Sequence, residues 1–262
     1  MAGRFSNLEF DDERREEAKE SSGALGTERD GWQLLEQARS AHSEGQHEAA
    51  LRLYTRALQE DRRLIRAWVG QIQMLVELKE FHEARVWGDK ALQLFKSNGD
   101  LLAAKAQAVI RLKDKKLALA CSDGAMQSPG SSAWRWEVRG EVLMARGDGH
   151  FDVCFQKALE EPDADWFDRV IIARIYSYYR RAASAMQYLQ AALEMAPAQA
   201  YSWYELGTAQ QALGLLGAAQ TSYERCLELR SDCREADAAL RALGSISFGQ
   251  WTRSVLRRWR KR

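Results

Sequence analysis

The sequence predicts an all-α fold, an α-solenoid of about six stacked helix pairs with a C-terminal capping helix, and three observations carry that prediction. Alanine-sized residues return at steps of 34, 34, 33, 34 and 34 through Ala57, Ala91, Ala125, Ala158, Ala192 and Cys226. A second column, Ala50, Ala84, Ala118, Phe151, Ala185 and Ala219, keeps those steps seven residues earlier, and a third runs Ala38, Ile72, Ala106, Gly140, Ala173 and Gly207. Small residues recurring on helical faces let backbones pack closely, and a period near 34 is one helix pair, a unit that cannot bury its apolar face alone. The third observation is punctuation: the only prolines, Pro129, Pro162 and Pro197, each fall near an expected boundary between pairs.

In chain order, residues 1–28 are charged, contain Ser21-Ser22-Gly23 and read as a disordered acidic tail. Five basic and nine acidic residues give positions 1–30 a net charge of −4, and Phe5, Leu8 and Phe10 form a short apolar knot there. First helices are expected near 31–44, 65–78, 99–112, 133–146, 166–179 and 200–213, and second helices near 47–60, 81–96, 115–128, 150–160, 182–196 and 216–230. The repeats then fall near 31–64, 65–98, 99–131, 132–165, 166–199 and 200–233, with a cap over 234–244 covering the apolar side of the sixth. Gly45, Gly147 and Gly214 mark turns within pairs, and Asp165 before Trp166 is an N-cap candidate. Gly140 lies 34 residues after Ala106 but Phe151 only 33 after Ala118, so one residue is lost within Arg146–His150, where Gly147 and Gly149 can take positive backbone angles.

Trp203, Leu206, Gly207, Ala219 and Tyr223 form one pattern, and Ala173, Tyr176, Ala185, Ala192 and Pro197 repeat it one period earlier. This pattern resembles the tetratricopeptide repeat, with six copies over about residues 31–230. The resemblance implies a right-handed superhelix and a role in holding peptides or partner proteins. Departures from it are Gln210 in place of tyrosine, Arg169 in place of a bulky apolar residue, and Gly88 and Ser122 in place of an aromatic. The family's clamp for acidic chaperone tails needs lysines, an arginine and asparagines at set places. Here Leu35, Arg39, Gly70, Asp100 and Ala104 stand there, so that role is disfavoured.

Composition narrows the function further. The 262 residues carry 38 basic and 37 acidic side chains, a net +1 that offers no global field for nucleic acid. Neither a glycine-rich phosphate loop, nor a nucleophile elbow, nor an H-E-x-x-H motif is present, so an enzyme and a cofactor are not expected. Cys121, Cys154, Cys226 and Cys233 lack zinc or C-x-x-C spacing and read as small apolar residues, and His42, His47, His82 and His150 do not form a metal pattern. Without an apolar leader or a spanning run, the expected compartment is the cytoplasm.

Two segments are candidates for binding. First helices line the inner surface of a curved stack, and the repeat phase places Trp134, Glu137, Glu141, Phe167, Arg174, Tyr178, Tyr201, Tyr204 and Gln211 along it. Rings beside an arginine and two carboxylates suit an extended peptide or a partner helix. The second candidate is a basic amphipathic helix over 247–262. Phe248, Trp251, Val255 and Trp259 recur at steps of 3, 4 and 4, and residues 238–262 carry a net charge of +7, with Arg253, Arg257, Arg258 and Arg260 among the cations. Such a helix suits an anionic membrane surface or an acidic partner. A nucleic-acid-associated protein using this arginine-rich tail is the alternative.

Overall fold

The computed structural model describes residues 24–244. The Phe5, Leu8 and Phe10 knot and the basic segment 247–262 lie outside the described residues. The described chain is an all-α solenoid of helix pairs, divided after Ala164 into two compact units.

The first unit holds α1 (Ala24–Ser43), α2 (His47–Glu60), α3 (Ile65–Glu77), α4 (Phe81–Leu94), α5 (Gly99–Arg111), α6 (Lys115–Gln127), α7 (Ala133–Arg146) and α8 (Phe151–Glu160). The second holds α9 (Trp166–Tyr178), α10 (Ala182–Met195), α11 (Ala200–Ala212), α12 (Leu216–Leu229) and α13, residues 234–244. Expected bounds agree to within two residues except at the start, where α1 begins at Ala24 and takes in residues 24–28 of the expected tail.

The columns are buried as their sizes require. Ala57, Ala91, Ala158, Ala192 and Cys226 are all fully inaccessible to solvent. The third column follows a volume rule within each pair. Gly140 and Gly207 lie under the rings of Phe155 and Tyr223, where an added Cβ would come within 2.4 and 2.6 Å of ring carbons. Where that ring is replaced by Ser122 or Leu189, the column carries Ala106 or Ala173, and where it is replaced by Gly88, the column carries Ile72. At Gly88 the space beside the helix is taken by the next pair, since an added Cβ would lie 3.2 Å from the Lys105 Cβ, and the Ser122 hydroxyl accepts from Arg139 at 3.3 Å. In the first pair, Ala38 holds the column and the Tyr54 ring lies over Gly70 of the next pair.

Each pair turns through one left-handed residue, at Gly45, Lys79, Lys113, Gly147, Arg180 and Gly214. Gly147 (φ 80°) thus holds an ordinary turn position, and Gly149 is not among the residues with positive φ. The missing residue falls after it. Other second helices begin two residues past the turn, whereas α8 begins four past Gly147 and is only 10 residues long. Non-helical residues rise about 3.3 Å each instead of 1.5 Å, so unwinding the first turn lets one fewer residue span the same path. Asp148 closes this link by accepting from the His150 amide at 2.9 Å.

Caps follow the sequence where side chains suit them. Asn98 accepts from the amides of Asp100 and Leu101, each at 3.1 Å, and Asp165 forms a reciprocal capping box with Asp168. The indoles of Trp68 and Trp203 each donate to the carbonyl six residues back, at Arg62 (2.9 Å) and Pro197 (2.8 Å), fastening first helices to the preceding loops. Across 200–244, α13 covers the apolar side of the sixth pair: Cys233, Ala236 and Leu243 share a core with Ala219, Tyr223 and Cys226.

Candidate peptide-binding face

Each unit contributes first helices, and the two sets of side chains behave differently. In the first unit, Glu137 and Glu141 are completely buried and not on the ligand-facing surface expected of them. Glu141 on α7 accepts from Arg111 and, at 3.0 Å, from Gln107, both on α5. The side chain of Arg111 is itself only 9% exposed. Two carboxylate oxygens met by two donors from the neighbouring first helix make this a buried strut. Trp134 is half-buried against the core, and its indole donates to the Asp100 carbonyl at 3.3 Å. Glu141 and Trp134 are therefore corrected from ligand-facing to structural, because donors and apolar surface about one repeat away take them up, and Glu137 is corrected by its burial.

A further strut had no sequence signal. Arg135, 7% exposed, donates to the carbonyls of Ser128, Pro129 and Gly130 at 3.3, 3.0 and 2.8 Å and pairs with Asp100 at 2.7 Å. Gly99 leaves room for its guanidinium, which an added Cβ would approach to 2.3 Å.

In the second unit the predicted residues converge. The Arg174 guanidinium lies 5.5 Å from the Tyr201 ring centroid, and Tyr201 stacks on Tyr204 at 6.2 Å with 25° between the planes. Tyr204 in turn meets Tyr223 at 6.0 Å. Glu205, absent from the sequence-based set, ties them: it pairs with Arg174 at 3.5 Å and accepts from the Tyr201 hydroxyl. Its i+4 relation to Tyr201 on α11 was the available signal. The Tyr223 hydroxyl donates to Gln211 at 2.8 Å, so Gln211 reaches the same cluster.

Burial separates the parts. Tyr201 is only 6% exposed and serves as the base, whereas Tyr204, Phe167 and Gln211 are half-exposed, Thr208 is open to solvent, and Tyr178 is 42% exposed at the end of α9. Burial, with the Glu205 charge second, pushes the Tyr204 phenol up to about 12, so it remains a neutral donor at physiological pH. Arg174 held over a ring and against a carboxylate has little freedom left to lose, which favours recognition. Among the described residues no group of three or more His, Cys, Asp or Glu is placed to hold a metal ion. No described helix is long and apolar enough to cross a membrane.

The paired helices and their small-residue columns define an α-solenoid repeat protein. Residues 200–233 match the family model of the tetratricopeptide repeat, and no curated protein matches the sequence. Among solved structures, a tetratricopeptide repeat protein from Parabacteroides merdae is 17% identical, over 80% of this chain and 82% of that one, with a TM-score of 0.51. TTC0263 of Thermus thermophilus, also a tetratricopeptide repeat protein, is 15% identical over 81% and 98% of the two chains, with a TM-score of 0.49. YrrB, described as having an unusual peptide-binding site, is 18% identical over 71% and 96%, with a TM-score of 0.40. Residues 200–233 thus match a tetratricopeptide repeat, and the described chain shares the fold of tetratricopeptide-repeat solenoids.

Proposed function

We propose that the protein is a non-enzymatic scaffold or adaptor that holds an extended peptide or partner helix on the first-helix face of residues 165–244. The observation that supports this reading is the ledge formed by Arg174, Tyr201 and Tyr204, with Thr208 and Tyr178 exposed on the same first helices. Rings supply contact area at low entropic cost, and neutral donors and acceptors set direction. The test is selection of peptides from a displayed library on the full chain. Selected peptides should lose about 1–3 kcal/mol of affinity on Tyr204→Ala or Tyr178→Ala, with the thermal midpoint of Tyr178→Ala unchanged. Equal affinity for wild type and both variants would remove the site from this face.

The second reading rests on the sequence of the C-terminal segment. Phe248, Trp251, Val255 and Trp259 share one side at helical spacing, and six cations follow Trp251. At about 1 kcal/mol per cation near an anionic surface, this segment provides reversible peripheral attachment on the cytoplasmic side. As a helix, its 15 residues from 248 to 262 would reach about 22 Å, short of a bilayer core of about 30 Å. The full chain should co-sediment with anionic vesicles, release in high salt, and fail to bind after Trp251→Ala with Trp259→Ala. Indifference to both changes overturns the membrane reading, and salt-sensitive capture of nucleic acid instead would favour the alternative.

A further inference from the structure

Four cysteines are free and buried, but they are not equivalent. Cys121 and Cys154 lie on different helices, α6 and α8, and in both burial pushes the thiol up. Cys226 and Cys233 instead lie together in one buried core cluster at the turn between α12 and α13. Cys226 belongs to α12, and Cys233 is the residue immediately before α13. The Arg230 guanidinium donates to the Cys233 sulfur at 3.3 Å, and the Cys233 thiol faces a Glu235 oxygen at 3.7 Å. A spacing of seven residues carries no motif in sequence, and it is the turn at 230–233 that brings the sulfurs together.

We propose that Cys226 and Cys233 are a thiol–disulfide modification site, oxidised by a low-molecular-weight disulfide to a bond that fastens α13 to α12. The two sulfurs have different roles. Cys233 has two features of an attacking thiol: a guanidinium beside the sulfur and a helix N-terminus. It also begins the terminal described helix, an element that opens at lower cost than the middle of a stack. Cys226 is fully buried, and burial followed by the neighbouring Cys233 pushes its thiol up to about 12, so it is the resolving partner.

The Cys233 thiolate attacks the small disulfide RSSR, forming a Cys233–SR bond and releasing RS⁻. Cys226 then attacks the Cys233 sulfur, forming the Cys226–Cys233 bond and expelling the second RS⁻. The two thiol protons pass to the two released thiolates. One RSSR is reduced to two RSH and the protein dithiol is oxidised to one disulfide. The bond is about 2.05 Å long, and the shared core at the turn is where the two side chains meet to form it.

The test uses the full chain with oxidised glutathione, followed by alkylation and tryptic mapping. Cleavage after Arg225, Arg230 and Arg234 puts the two cysteines in separate peptides, 226–230 and 231–234. The expected product joins these peptides through one disulfide while Cys121 and Cys154 remain alkylatable. Cys226→Ser should accumulate glutathione on Cys233, Cys233→Ser should leave Cys226 unmodified, and Arg230→Gln should slow the reaction several-fold. Wild type should also show a thermal midpoint that rises on oxidation and returns on reduction, a response missing from Cys226→Ser of equal helicity. Alkylatable Cys226 and Cys233 after oxidation, equal glutathionylation of all four cysteines, or modification of Cys226 in Cys233→Ser would each overturn the proposal.

Discussion

Gln107, Glu141, Arg174 and Thr208 occupy one place in four successive repeats, yet the column is buried in the first unit and more open in the second. Glu141 is covered because Arg111 and Gln107 reach it from α5. Thr208 has no such cover: 34 residues after Tyr204 and Thr208 stand Ala238 and Ala242 on α13, too short to reach across and exposed themselves. The reach of the neighbouring helix's side chains decides whether a repeat position stabilises the stack or remains available to a ligand. Arg174 is intermediate, with 16% of its side chain exposed and Glu205 holding it.

The largest expected effect tests that contrast directly. Glu141→Ala leaves a nearly buried guanidinium without its carboxylate and should cost about 3–5 kcal/mol of stability in urea titration. Glu205→Ala, at a more open pair, should cost only about 1–3 kcal/mol. Similar losses would mean that the two struts differ in name only.

Next in size are the small-residue columns, where the two regions should behave alike. Ala158 and Ala192 are both fully buried, and Ala→Leu at either should overpack its unit by about 1–3 kcal/mol. An unchanged thermal midpoint for one of them would restrict the packing rule to the other unit.

The columns were legible because close helix packing admits so few residue types that a spacing of 34 survives wherever it recurs. The departures at Gly88 and Ser122 were not, since each reads as a defect until its neighbours Lys105 and Arg139 are known. Glu137 and Glu141 were misread for a related reason: periodicity places a side chain on a face, but whether a carboxylate there meets water depends on donors about 30 residues distant. The same limit hid Arg135 and Glu205. The proximity of Tyr201, Tyr204 and Arg174 was legible because their phase alone brings them together, although phase could not show that Tyr201 is buried.

A third comparison separates stability from recognition. Trp134→Ala removes a ring packed into the first unit's core and should cost about 3–5 kcal/mol of folding stability while leaving the affinity of selected peptides unchanged for the folded fraction. Tyr204→Ala should reverse the balance, losing about 1–3 kcal/mol of binding for a smaller loss of stability. Peptide binding that follows Trp134 would restore that residue to the ligand face.

The smallest effect appears only in alkali and compares one phenol from each unit. Burial, offset by Arg39, raises the pKa of Tyr54, which is 2% exposed; burial and then Glu205 push the half-exposed Tyr204 up to about 12. Each group ionises more readily in the unfolded chain, whose reference value is 10.0, so the unfolded state gives up protons first as pH rises. The stabilisation is therefore fully present below about pH 10 and declines as pH rises towards each folded value. Urea midpoints followed from neutral pH into this window should fall in wild type and fall less in Tyr54→Phe and in Tyr204→Phe, which have no phenol to ionise. Tyr54→Phe should flatten the profile more, because its ring is enclosed within a pair stack and water still reaches the edge of Tyr204. A larger flattening from Tyr204→Phe would mean that the second unit's ledge is drier than the first unit's core, and that its rings are packing and not a surface for a ligand.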